Sequence, residues 1–119
     1  MKSPNETVKM SIYLSSTDRF HGSLLYEAIT IEAKNFGIAG ATVFQGLMGY
    51  GASSRMQSTK FWELVNKHPV VIDLIDERVK VERFLYRIKP WFEEAQKGFL
   101  VTTTPMEITL TKEMLNNPS

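Results

Sequence analysis

Val8-Lys9-Met10-Ser11-Ile12-Tyr13-Leu14 alternates without a break, with Val8, Met10, Ile12 and Leu14 on one side and Lys9, Ser11 and Tyr13 on the other. A period of two over such a run is that of a half-buried strand. Ser15-Ser16-Thr17-Asp18 interrupts it, and from Gly22 to Phe36 the spacing changes. Leu25, Ile29, Ala33 and Phe36 now recur at helical intervals, while Glu27, Glu32 and Lys34 fall elsewhere. That pattern predicts an amphipathic helix, stopped by Asn35 and Gly37. A strand feeding a helix is the opening of a βαβ unit, and the rest of the chain is read outward from it.

Ala41 to Leu47 returns to strand composition and runs into Gly46-Leu47-Met48-Gly49-Tyr50-Gly51-Ala52-Ser53-Ser54-Arg55. Gly49 to about Asn66 is a long stretch with no assigned element, and Phe61-Trp62-Glu63-Leu64-Val65 inside it fits a strand end or a helical turn. Pro69 precedes a third strand, Val70-Val71-Ile72-Asp73-Leu74-Ile75. Asp76 to Lys97 predicts a second helix with Val81, Phe84, Leu85, Ile88, Trp91 or Phe92, and Ala95 on one face. Pro90 is expected to kink or divide it, and Gly98 to end it. Met106, Ile108 and Leu110 alternate with Glu107, Thr109 and Thr111 as a last strand, after which the tail from Glu113 is expected to fray. The order β-α-β-β-α-β is that of an α+β, ferredoxin-like sandwich, a single domain over 1–119 with its core at about 7–111.

Composition bounds the rest. The chain has 119 residues, 43% of them hydrophobic, enough for a core and too many for disorder. Lys and Arg total 14 against 13 for Asp and Glu, a net charge of +1, without the basic excess of a dedicated nucleic-acid binder. RNA-recognition motifs share this strand–helix order, but the third strand here offers no aromatic platform for bases, so nucleic acid is not an expected partner. Cys is absent, which removes disulfides, thiolate nucleophiles and Cys-based metal centres. The N-terminus lacks a signal-peptide apolar stretch, and no window is long and apolar enough for a membrane span. A cytoplasmic protein is the expectation.

Two features bear on function. In the third strand Val70, Ile72 and Leu74 face one side, whereas Val71 and Ile75 face the other. Helices cover only one side of such a sheet, so the second apolar face is expected to be buried against other subunits in a homo-oligomer. The charge map supplies the other. Between Glu32 and Glu63 no acidic residue occurs, while Lys34, Arg55 and Lys60 do, together with Gly46, Gly49 and Gly51. Glycines let backbone N–H groups approach an anion, and Arg55 and Lys60 add charge for a phosphate or carboxylate. No Gly-Lys-Ser/Thr follows, so this is not a Walker loop. Asp18 and His21 are a conceivable acid–base pair for a small enzyme, but residues of this kind at a strand-to-helix junction more often cap the helix. His21 and His68 alone do not make a metal site.

The residues also carry a resemblance. Ser16-Thr17-Asp18-Arg19-Phe20-His21-Gly22-x-Leu24-Leu25-Tyr26-Glu27-Ala28-Ile29 is similar to the first block of an uncharacterised bacterial and archaeal family described as PII-like. Gly37-x-Ala39-Gly40-Ala41-Thr42-Val43-x-x-Gly46-x-Met48-Gly49-Tyr50-Gly51-Ala52-Ser53-Ser54-Arg55 resembles its second block, and His68-Pro69-Val70-Val71-Ile72-x-Leu74-Ile75-Asp76 its third. The resemblance spans roughly Val8 to Leu110. It implies a non-enzymatic, trimeric relative of the PII signalling proteins, which bind adenine nucleotides or other small anionic effectors in clefts between subunits. It implies an effector loop over 49–67 that docks on a target, often a membrane transporter or channel, with base glycines at Gly46, Gly49 and Gly51. The phosphate-touching turn of PII proteins maps near Lys97-Gly98-Phe99-Leu100. Two departures stand out: that turn is reduced to one glycine, and the middle of the long loop holds no tyrosine for uridylylation. No cofactor beyond a bound nucleotide effector is implied. The rival within the fold is a metal-responsive protein of the divalent-cation tolerance type, also trimeric, and an enzyme using Asp18 and His21 comes third.

Overall fold

The structure, a computed structural model, describes residues 3–50, 67–95 and 98–116. Strand β1 (Thr7–Ser15) leads through a two-strand hairpin, β2 (Arg19–Phe20) and β3 (Ser23–Leu24), into helix α1 (Leu25–Phe36). Then come β4 (Gly40–Gln45), β5 (Pro69–Glu77), helix α2 (Arg78–Ala95), β6 (Leu100–Pro105) and a short helix α3 (Lys112–Asn116). Four strands form one antiparallel sheet in the order β4-β5-β1-β6, the ferredoxin-like arrangement.

The alternation read in β1 is realised: Val8, Met10, Ile12 and Leu14 are all buried. Val70, Ile72 and Leu74 of β5 lie beside them, and Leu25, Ile29 and Ala33 of α1 with Val81, Phe84, Ile88 and Phe92 of α2 close the layer from above. Helix α1 ends in a Schellman turn. Gly37 sits at φ 98°, its N–H reaching the Ala33 and Lys34 carbonyls, while the Ile38 N–H reaches Ala33. Only glycine adopts that left-handed conformation without strain, so the stop signal in the sequence is a steric one.

Four expectations are corrected. The helix after β1 begins at Leu25 rather than Gly22, because the intervening residues fold into the hairpin. Its two-residue loop, His21 at φ 50° and Gly22 at φ 82°, has the paired positive angles of a type I′ turn. Of the kink or division expected at Pro90, the division does not occur, and α2 runs through it. Pro90 and the residue one turn before it, Tyr86, are both exposed, so the carbonyl that Pro90 leaves without a donor belongs to the solvent side of the helix. The last strand is Leu100–Pro105, not Met106–Leu110. Its β-branched run Val101-Thr102-Thr103-Thr104 fits the pleat against β1, and Pro105, which has no N–H to give, ends it at the sheet edge. The tail is not frayed from Glu113, since residues 112–116 form α3.

The N-terminal residues are pinned to α2. The Glu6 carboxylate meets the Arg78 guanidinium at 3.1 Å, and the Arg78 and Val79 N–H groups donate to the Glu6 and Pro4 carbonyls. Arg78 is 6% exposed, so this pair neutralises a cation inside the fold.

Candidate functional site

Residues paired across strands share a face, so the ladder register gives the two sheet surfaces directly. On the helix side, Val43, Ile72, Ile12 and Val101 form one transverse row. One residue along, on the opposite face, the row is Phe44, Val71, Tyr13 and Leu100. No element of the described residues covers that second row: Phe44 is 53% exposed, Tyr13 41% and Leu100 56%. The next row on this bare face is polar. Thr42, Asp73, Ser11 and Thr102 lie side by side, with the Ser11 hydroxyl donating to Asp73 Oδ1 at 2.7 Å. The apolar character expected at Val71 therefore spreads across all four strands, and it is concentrated at one end of the sheet. Ile75, named with Val71 from sequence, stands away from it in a row with Gly40, Lys9 and Thr104.

Both glycine-bearing segments enter at that same end, on opposite edges: Gly46 and Gly49 follow β4, and Gly98 precedes β6. The Gly46 N–H donates to the Pro69 carbonyl at 2.8 Å, extending the β4–β5 ladder by one bond. A Cβ at Gly46 would lie 2.9 Å from Pro69 Cγ, and one at Gly49 would lie 3.4 Å from the same atom. Glycine at 46 is thus required for close approach to Pro69, and its amide is committed to the sheet rather than offered to an anion. Of the other residues expected at the site, Gly51, Arg55, Lys60 and Lys97 lie outside the described residues, as does most of the 49–67 loop. Gly98 is exposed, and Phe99 after it stacks on Phe92 at 4.4 Å.

The junction after β1 holds a cavity of about 350 Å³ lined by Ser16, Thr17, Arg19, Tyr26, Gln45 and His68, with Leu24 at its side. The Ser16 N–H donates to the His68 carbonyl at 2.8 Å, and the His68 N–H returns to Ser16 Oγ at 2.9 Å. This reciprocal pair ties the end of β1 to the start of β5. Asp18, 5% exposed, accepts the Ser15 N–H on its carboxylate, and its carbonyl accepts the Leu25 N–H. The helix start at Leu24 has no side-chain cap, so Asp18 organises the turn through its backbone and its own loop, not as a helix cap. Reading the block Ser16–Arg19 as capping residues therefore missed the cavity. The available signal was the cluster of short hydroxyl side chains and one arginine at a strand end.

The structure does not bring Asp18 and His21 together as an acid–base pair. His21 is exposed and its Nε2 lies 2.6 Å from Glu94 Oε1 on α2. Its ring stacks on Phe20 at 4.1 Å, and Phe20 stacks in turn on Trp91 at 4.7 Å. That stack docks the hairpin on α2 and leaves Asp18 in its turn. Among the described residues no three His, Asp or Glu side chains are grouped to hold a metal ion. No helix of the described residues is long and apolar enough to cross a membrane.

Comparison with known proteins adds the following. Residues 7–108 match the family described as DUF190, Uncharacterized ACR. A UPF0166 protein of Methanocaldococcus jannaschii is 37% identical over 96 residues, 79% of this chain and 84% of that one. A UPF0166 protein of Aquifex aeolicus is 38% identical over 80 residues, 67% of this chain and 76% of that one. Among solved structures, CPII from Thiomonas intermedia K12, a nitrogen regulatory PII-like protein bound to ADP, AMP and bicarbonate, superposes with a TM-score of 0.61. It is 17% identical, over 88% of this chain and 94% of that chain. Its apo form gives a TM-score of 0.53 at 18% identity, over 84% and 90% of the two chains. At such identities the likeness establishes a shared PII-like fold.

Proposed function

The chain belongs to the DUF190 family, residues 7–108 of it matching, and from that premise we propose that it is a non-enzymatic PII-like regulatory protein of the cytoplasm. It works as a homotrimer, binds a small anionic effector, with an adenine nucleotide the leading candidate, at the clefts between subunits, and docks on a target through residues 49–67. A membrane transporter or channel is the class of target.

The bare apolar row Phe44–Val71–Tyr13–Leu100 carries this reading. Burying side chains of this kind contributes roughly 1.5–3 kcal/mol each, so three copies gain by packing these rows around a common axis. The glycine segments enter the sheet at the end of that row. A trimer closed there brings the Gly46–Gly51 segment of one subunit towards its neighbour, and Gly49, Gly51, Arg55 and Lys60 with Lys97 and Gly98 supply amides and charge for an anion. Gly46 contributes the tight approach to Pro69 rather than its N–H. The ADP, AMP and bicarbonate bound by CPII make adenine nucleotides the first panel to try.

Calorimetric titration with AMP, ADP and ATP, followed by divalent metals, tests the effector. Saturable nucleotide binding to a trimer, weakened by one to two decades in Arg55→Ala and unchanged in Lys89→Ala, is the expected result. Metal binding without nucleotide binding would select the metal-responsive rival.

A further inference from the structure

We propose that the cavity after β1 is a second binding site for a small metabolite bearing an oxyanion head, carboxylate or phosphate, and that Arg19 pairs with that head. The site uses none of the residues assigned to the effector cleft above.

Its size and lining point to such a ligand. A volume of about 350 Å³ lies at the small end of the range typical of metabolite pockets. The described residues around it offer one permanent cation, Arg19, with the Ser16 and Thr17 side chains, the Gln45 carboxamide and His68. None of them is acidic. The nearest carboxylate in sequence, Asp18, is buried, accepts the Ser15 N–H and is not among the residues that line the cavity. Tyr26 and Leu24 add an aromatic and an aliphatic surface, which fits a ligand with a carbon body behind its charged end.

The frame is also built rather than accidental. Two segments of chain meet there through the reciprocal Ser16–His68 bonds. The Arg19 Nη1 donates to the Gly22 carbonyl at 3.0 Å, across the hairpin whose left-handed loop is His21-Gly22. One donor of the fork is held in this way, which orients the guanidinium while leaving its other N–H groups to form a bidentate pair with an oxyanion. A preoriented fork loses less freedom on binding than a free arginine. The pair of positive φ angles gains a purpose on this reading: it reverses the chain between Arg19 and the Gly22 carbonyl that holds its guanidinium.

The test is a titration of the full-length protein with inorganic phosphate, succinate and AMP, with dimethyl succinate as the uncharged control. It is read by amide chemical shifts and by calorimetry. Saturable shifts centred on Ser16, Thr17 and Arg19 with at least one charged probe, and none with the diester, are expected. The stronger of the phosphate and succinate responses identifies the head group. Arg19→Gln should weaken that binding at least tenfold and Arg19→Lys by less, with melting temperatures like wild type because Arg19 is exposed. Absence of saturable shifts at these residues with all three probes overturns the proposal, and so does a folded Arg19→Gln that binds as wild type does. Nucleotide binding abolished by Arg55→Ala and indifferent to Arg19→Gln, without those shifts, overturns this site while leaving the intersubunit reading standing.

Discussion

The two faces of the sheet are built from the same four strands, and neighbouring residues supply them alternately. On one face Ile72 and Ile12 are fully buried under α1 and α2. On the other, one residue further along, Val71 and Tyr13 sit in a row that no described element covers. The first face satisfies itself within the chain; the second has apolar side chains and no cover of its own. Comparing them separates what holds the subunit together from what it offers to other molecules.

Truncating the covered face has the largest expected effect. Phe84→Ala empties the place of a side chain that is 0% exposed and should lower stability by about 3–5 kcal/mol, measured by urea unfolding. The same chemistry applied to the bare face should act elsewhere. Val71→Lys is expected to dissociate the proposed trimer, because an unpaired charge would be trapped in the subunit contact. Light scattering would read the loss of mass, and circular dichroism would show whether the fold survives. Wild-type protein that scatters as a well-folded monomer would break the comparison at its root.

At the end of the apolar row, Gly46→Ala forces a methyl group to within 2.9 Å of Pro69 Cγ. It should destabilise by about 1–3 kcal/mol, whereas Gly49→Ala, with 3.4 Å available, should stay within about 1 kcal/mol in the same assay. Ser11→Ala is the finest probe. Ser11 belongs to the bare face yet is only 6% exposed, and its hydroxyl serves Asp73. Losing that bond should cost about 0.5–1.5 kcal/mol in unfolding and leave the proposed trimer intact, which would limit the subunit contact to the apolar row.

Local pattern made much of this legible. The period of two in Val8–Leu14 and Val70–Ile75, and the helical spacing of Leu25, Ile29 and Ala33, determined the element order and hence the ferredoxin-like fold. The inward residues of these elements are buried where sheet and helices pack on one another. Gly37 announced its own stop because a left-handed residue is a local requirement. The departures came where local preference is weak or shared. Val101–Thr104 is β-branched and Met106–Leu110 merely alternates, and pairing with β1 chose between them. Gly22 read as a helix start, but the chain reversed there in a hairpin that Phe20 anchors on Trp91 of α2.

The sequence by itself therefore determined strands β1, β4 and β5, the two long helices, the family and the existence of a second apolar face, because each depends on residues a few positions apart. Only the tertiary structure decided that Phe44, Tyr13 and Leu100 join Val71 in one row, since that follows from cross-strand register and not from any single segment. It also decided that Gly46 serves Pro69, that His21 answers Glu94 instead of Asp18, and that Ser16, Arg19, Gln45 and His68 surround one cavity. These contacts join residues far apart along the chain. Their distances are set by how the helices pack and how the strands pair, and no local spacing records that.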